Sequence, residues 1–129
     1  MDKITDVSTI PVGVVGLGLM GCSISTCLVI AGHPVIAVAP LPIDLLQAEK
    51  RIQGHLIHSK EHGLINQPAD FYFKQLNITE DYNQLKDCQV IIECTLEEIE
   101  IKKLVYEKIE AVISNEAILA SNTSAIPIS

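Results

Sequence analysis

The stretch VGVVGLGLMG, at residues 12–21, constrains the fold of this chain more than any other. A valine-rich apolar run is followed at once by glycines with G-x-G-x-x-G spacing, at Gly16, Gly18 and Gly21. In a strand–turn–helix unit the first glycine permits a tight turn. The second lets a pyrophosphate approach the backbone, and the third lets helix and strand pack closely. The stretch therefore predicts a dinucleotide-binding turn, and the alternative is a glycine turn kept only for packing.

A helix is predicted over residues 19–31, directly after the glycines, because the segment is apolar and is followed by Gly-His-Pro. The composition predicts that most of this helix is buried. Its N-terminus offers free N–H groups and a partial positive charge to phosphates. Leu19 and Met20, at this N-terminus, are therefore predicted to bind the cofactor together with the three glycines.

Strand and helix patterns alternate along the rest of the chain, which predicts a parallel sheet with right-handed crossovers. The fold class is α/β, a Rossmann-type doubly wound sheet of about five strands with flanking helices, and residues 1–129 are predicted to form one domain. The predicted strands lie at 10–16, 35–39, within 71–79, at 89–94 and at 117–121.

Two further helices are predicted, one from Asp44 to about Gly63 and one from about Glu98 to Ser114. Each carries apolar residues that are predicted to face the core. For the first helix these are Leu45, Leu46, Ile52, Leu56 and Ile57, and for the second they are Ile101, Leu104, Val105, Ile109, Val112 and Ile113.

The composition excludes several classes of function. Hydrophobic residues make up 48% of the chain but aromatic residues only 4%, so the core must be aliphatic, as in strands buried on both faces. The net charge of −7 argues against nucleic acid or an anionic membrane as a partner. No apolar run has the length of a membrane span and no apolar leader is present, so we expect a cytoplasmic protein.

The four cysteines form no C-x-x-C pair, so we expect reduced, buried thiols and neither a disulfide framework nor a metal site. Cys94 lacks a histidine partner in the pattern and is interpreted as a packing residue. The four histidines, His33, His55, His58 and His62, are predicted to be surface residues.

The second half of the chain resembles the 3-hydroxyacyl-CoA dehydrogenases. Residues 87–126 read DCQVIIECTLEEIEIKKLVYEKIEAVISNEAILASNTSAI. That family carries the glycine turn, a strand ending in an E-A-x-x-E-like segment, a helix with an early lysine, and an ASNTS stretch. All four features occur here in order, with ASNTS at 120–124, and the resemblance covers residues 11–126. It implies NAD as the cofactor and hydride transfer at the 3-carbon of a hydroxyacyl thioester.

The resemblance also implies roles for four residues. Glu97 and Asn122 would lie by the nicotinamide-side ribose, Lys102 near the same site, and the Ser124 hydroxyl would bind the 3-oxygen of the substrate. Each has a structural alternative, because acids favour helix N-termini and Ser and Asn favour turns and caps. For Lys102 the alternative is a solvated helix lysine that pairs with Glu98, and the two interpretations stand equal.

The family's histidine base, in a G-x-H-F-F-N-P strand, and its helical domain, which closes over the acyl-CoA and forms the dimer, match nothing in these 129 residues. We therefore expect the 129-residue polypeptide alone to be inactive. An apolar fifth strand without a sixth beside it would present unpaired backbone groups. We expect a homo-oligomer that pairs through residues 117–121 or through the tail at 124–129.

The end of the second predicted strand departs from the family. An acid that binds the adenosine ribose belongs there, but this chain has Ala39 followed by Pro40, and no Lys or Arg occurs between Pro40 and Lys50. Asp44 could replace the acid if the prolines turn the loop back. Three interpretations remain open: a weak NAD site, a site for another nucleotide or for none, and a non-enzymatic module for binding or assembly.

Overall fold

The core of the protein is a five-stranded sheet, seen in a computed structural model that describes residues 10–95 and 99–121. All neighbouring strands are parallel and their order is β3-β2-β1-β4-β5, which confirms the doubly wound sheet that the sequence predicts. The strands are β1 (Val12–Val15), β2 (Val35–Val38), β3 (Leu76–Thr79), β4 (Val90–Glu93) and β5 (Ile118–Ser121). The helices are α1 (Leu19–Ile30), α2 (Pro42–Glu61), α3 (Ala69–Phe73) and α4 (Ile99–Glu110), and a 3₁₀ turn spans Tyr82–Asp87.

Helices cover both faces of the sheet. On one face Val14 of β1 belongs to a cluster with α1, α2 and α3, and on the other face Val15 belongs to a cluster with α4 and the 3₁₀ turn. Successive side chains of a strand point to opposite faces, so a central strand covered on both sides must be apolar throughout. This explains why all four residues of β1 are buried.

Helix α2 buries a different face from the one predicted. Its buried residues are Ala48, Ile52 and Leu56, which repeat every four positions, whereas Leu46 and Ile57 are exposed. Leu46 lies two positions from Ala48, about 200° around a helix with 3.6 residues per turn, so it points to solvent. The prediction that these two side chains face the core is wrong.

Helix α1 packs through small residues, and its large apolar residues lie partly outside. Its buried residues are Gly21, Cys22, Ser25, Thr26 and Val29. Leu19 and Met20 are exposed, so the prediction of a largely buried helix is wrong at its first turn. The helix predicted from about Glu98 to Ser114 is shorter than expected, because α4 ends at Glu110, and the prediction that Leu104 faces the core is wrong because Leu104 is exposed.

Candidate functional site

The turn after β1 requires glycine at two positions. Gly16 has a φ of +104°, a conformation that residues with a side chain rarely adopt. A Cβ on Gly16 would lie 2.7 Å from the carbonyl carbon of Cys94. A Cβ on Gly21 would lie 1.7 Å from the carbonyl oxygen of Gly16. These two glycines therefore hold β1, α1 and the end of β4 in close contact.

Gly18 is different, because a Cβ there would meet no atom within 4 Å. Gly18 is the N-cap of α1, no side chain caps the helix, and its first turn contains no acid. The backbone amides of this turn, which includes the exposed Leu19 and Met20, are thus left for an outside acceptor. Open space beside an uncapped helix N-terminus fits the pyrophosphate of a dinucleotide.

A pocket of about 170 Å³ opens where β1, β2 and β4 end. Its lining includes residues 16–18 after β1, residues 40–41 and Asp44 after β2, and residues 94–95 after β4. The strand order reverses at β1: strands β2 and β3 follow on one side of it, and β4 and β5 lie on the other side. Ligands of open α/β sheets bind at this point of the topology.

The position that Ala39 occupies belongs to the core. Ala39 is only 2% exposed and packs in the cluster that contains α1, α2 and α3. It donates its amide hydrogen to the carbonyl of Thr79 at 2.9 Å. Asp44, in the first turn of α2, lines the pocket instead. The structure therefore places a carboxylate at the pocket, but on the helix and not at the end of the strand.

Glu93 is the centre of a buried hydrogen-bond cluster at the end of β4. Its side chain is fully buried, and its Oε2 lies 2.6 Å from Nζ of Lys102, which is 3% exposed. The amide of Thr95 donates to Oε2 at 2.7 Å, and the Thr95 hydroxyl also donates to it. On the other oxygen, Oε1, Ser121 donates at 2.8 Å and Tyr106 at 3.4 Å.

These donors keep Glu93 ionised. Burial on its own raises the pKa of the carboxyl, but hydrogen bonds from Lys102, Thr95 and Ser121 outweigh burial and bring the pKa below its usual value. A buried lysine needs such a partner. The interpretation of Lys102 as a solvated helix lysine is therefore wrong.

Sequence reasoning gave Glu93 no role, although one signal was present. An acid follows the apolar run VII at residues 90–92, and a strand buried by helices accommodates a charge only when a partner compensates it.

Three predicted site residues, Glu97, Asn122 and Ser124, lie outside the described residues. Thr95 lies two positions before Glu97 and Ser121 directly precedes Asn122, and both bond to Glu93. One carboxylate thus holds the described ends of two segments that the resemblance assigns to the site.

The cysteines and histidines agree only in part with the predictions. Burial and the neighbouring Glu93 raise the pKa of Cys94 to about 11, so its thiol is protonated at neutral pH, as in a packing residue. Cys27 is exposed, contrary to the expectation of buried thiols. His58 and His62 are exposed, whereas His33 and His55 are half-buried.

Within the described part of the chain, no three His, Cys, Asp or Glu residues are grouped as a metal site. None of its helices has both the length and the apolar character of a membrane span.

Comparison with known proteins relates this geometry to one family. Residues 11–129 match the family model for the NAD-binding domain of 3-hydroxyacyl-CoA dehydrogenase. The chain is 34% identical over 119 residues to a 3-hydroxybutyryl-CoA dehydrogenase of Mycobacterium tuberculosis, covering 91% of this chain and 42% of that protein. It is 32% identical over 132 residues to the peroxisomal fatty acid beta-oxidation multifunctional protein AIM1 of Arabidopsis thaliana, covering 96% and 18%.

The crystal structure of FadB2 from M. tuberculosis superimposes with a TM-score of 0.85 at 34% identity, covering 91% of this chain and 42% of that one. The chain spans less than half of the length of each of these relatives.

Proposed function

The chain belongs to the 3-hydroxyacyl-CoA dehydrogenase family, as its NAD-binding domain. On that premise we propose that it serves an oxidoreductase that transfers hydride between NAD and the 3-carbon of a 3-hydroxyacyl-CoA. The observation that carries the proposal is the uncapped N-terminus of α1, with open space over Gly18 beside the pocket. When bound, NAD would supply the hydride acceptor, and the protein would bind and orient it.

We assign the phosphate contacts to the glycine turn. Gly16 and Gly21 hold the turn in shape, Gly18 leaves room for the pyrophosphate, and the amides of Leu19 and Met20 donate to it.

On the nicotinamide side we assign Glu97, Lys102 and Asn122 to the cofactor, and Ser124 to the 3-oxygen of the substrate. The charge of Lys102 is balanced by Glu93 at 2.6 Å. Lys102 therefore offers the cofactor a fixed ammonium group and no uncompensated positive charge.

A binding panel tests the proposal, with NAD, NADH, NADP and ADP-ribose titrated calorimetrically into the protein. Gly18→Val would place a branched side chain where the pyrophosphate belongs, so we expect it to abolish binding. Gly54→Val is the matched control, because a Cβ on Gly54 also meets no atom within 4 Å but Gly54 lies in the middle of α2. Binding that survives Gly18→Val would contradict the assignment.

A second candidate function is a non-enzymatic binding or assembly module, and the apolar, buried Ala39 favours it. A wild-type protein that binds none of the four nucleotides would support this candidate over a cofactor site.

We also propose a homo-oligomer formed at the β5 edge. Strand β5 ends the sheet and pairs only with β4 among the described strands, and its Ile118 is 62% exposed. Ile118→Lys should yield monomers in light scattering, whereas Leu64→Lys, at an exposed leucine far along the chain from β5, should not. An oligomer that persists in Ile118→Lys would place the interface elsewhere.

The remaining proposals concern domain extent and compartment. We propose that residues 1–129 form one dinucleotide-binding domain and that the protein works in the cytoplasm on an acyl-CoA substrate. Because one relative is named as peroxisomal, imaging of the tagged protein against a peroxisomal marker tests the compartment.

A further inference from the structure

The candidate cofactor pocket lacks a ribose acceptor at the usual place. In such folds an acid at the end of the second strand accepts hydrogen bonds from the adenosine ribose and excludes a 2′-phosphate. Here that position is the buried Ala39, which has no polar side-chain atom. Either another group accepts hydrogen bonds from the ribose hydroxyls, or the protein makes no hydrogen bond to them at this place.

The prolines after β2 bring an acid to this pocket. Helix α2 has Leu41 as its N-cap and Pro42 at the first helical position. Proline is favoured there because an N–H at that position would have no hydrogen-bond partner within the helix. Asp44 then falls in the first turn, with its own amide donating to the carbonyl of Leu41 at 3.0 Å. Because the helix starts this early, Asp44 lines the same pocket as the glycine turn.

The carboxylate of Asp44 is free to accept. Asp44 is half-buried, and none of the described residues donates a hydrogen bond to its side chain. A half-buried carboxylate without a donor among the described residues, at a pocket lined by Gly16 and Gly18, is placed for a ligand with hydroxyl groups.

The described lining of the pocket contains no cation. No Lys or Arg is among these lining residues, and Arg51, one turn beyond Gln47 on α2, donates to Gln47 at 2.9 Å. A 2′-phosphate in this pocket would meet the negative charge of Asp44, and none of the described lining residues would supply a compensating cation.

We propose that Asp44 is the specificity-determining residue of the pocket, which accepts hydrogen bonds from the adenosine ribose hydroxyls and selects NAD over NADP. The inference rests on the proposed function, because it needs a dinucleotide at the glycine turn.

Calorimetric titration of wild type, Asp44→Asn and a control variant tests the inference. Asp70→Asn is the control, since Asp70 is also an acid in the first turn of a helix but lies in α3, outside the pocket lining. We expect Asp44→Asn to weaken the binding of NAD about tenfold or more and to reduce the difference in affinity between NAD and NADP. Asp70→Asn should leave both affinities unchanged.

A change in the ligand identifies the contact. NAD that lacks the adenosine 2′-hydroxyl should bind wild type more weakly than NAD does, but Asp44→Asn should bind the two ligands almost equally. Melting temperatures of all variants confirm that they are folded.

Two different failures are distinguishable. If wild type binds neither NAD nor ADP-ribose, the proposed function and this inference both fall. If wild type binds NAD, Gly18→Val abolishes that binding, and Asp44→Asn binds NAD as well as wild type does, only the role of Asp44 is overturned.

Discussion

Glu93→Gln removes one negative charge from the buried cluster at the end of β4 with almost no change in side-chain size. It leaves the ammonium of Lys102, 3% exposed, without the carboxylate that lies 2.6 Å away. Breaking a buried ion pair by removing one partner costs about 3–5 kcal/mol, because the remaining charge is uncompensated. We expect a loss of that size in the free energy of unfolding, out of a total of about 5–15 kcal/mol for a domain of this kind.

The converse substitution should cost less. Lys102→Met leaves Glu93 with donors from Thr95, Ser121 and Tyr106, so the carboxylate remains hydrogen-bonded. It loses one charge-assisted hydrogen bond, which contributes about 1.5–3 kcal/mol. In the double variant no charge is stranded, so its loss should be smaller than the sum of the two single losses by about 1–3 kcal/mol.

Urea unfolding followed by far-ultraviolet circular dichroism measures these differences. Tyrosine fluorescence is the second probe, since the chain has three tyrosines and no tryptophan. A reducing buffer is needed because the cysteines are free. Additive losses in the double variant, or a loss below about 1 kcal/mol for Glu93→Gln, would refute the view that the pair is buried and coupled.

Three further measurements test the glycine turn, the Glu93 carboxylate and the activity of the 129-residue polypeptide. Gly21→Ala should destabilise the fold by about 1–3 kcal/mol or more in urea unfolding, because its Cβ would overlap the Gly16 carbonyl oxygen, and an unchanged midpoint would contradict this. The lowered pKa of Glu93 contributes stability above the unfolded-state value of about 4.3, and this is lost as the pH falls through the lower folded value. The stability gap between wild type and Glu93→Gln should therefore shrink as the pH falls below about 4.3, and a gap that stays constant there would be the contrary result. The 129-residue polypeptide should not oxidise 3-hydroxyacyl-CoA with NAD in a spectrophotometric assay, because a general base contributes about 10²–10⁴-fold and none of its residues matches the family's base; measurable turnover would require another base.

The turn and the sheet could be predicted because their signals are local. The spacing of Gly16, Gly18 and Gly21 follows directly from backbone contacts that the structure shows for the first and third of them. The valine-rich runs at β1 and β2 are buried on both faces, which is the condition that makes a strand continuously apolar.

The faces of the helices were harder to predict. Leu46 and Ile57 were assigned to the core for being apolar, but the helical repeat of Ala48, Ile52 and Leu56 decides which side packs. In α1 the close approach to the sheet selects small residues such as Ser25. Hydrophobicity alone therefore does not predict which residues of this helix are buried.

The Glu93 cluster could not be predicted from sequence because its members come from separate elements. Lys102 lies on α4 and Ser121 on β5, and only the parallel pairing of β4 with β5 brings Ser121 opposite Glu93. The same holds for Asp44, whose relation to the pocket depends on where α2 begins.

The order of the strands has a consequence for how the domain opens. Strand β1 pairs on one side with β2, its neighbour in sequence, and on the other with β4, where Val12 lies opposite Val90. The pairing of β1 with β4 closes the longest loop among the described strands, so it is the seam at which we expect partial unfolding to divide the sheet. The pocket lies across that seam, with residues 16–18 on one side and residues 94–95 on the other. A dinucleotide bound there would clamp the two halves together and slow amide hydrogen exchange at the bond from Cys94 to Val15, far more than at bonds within α2.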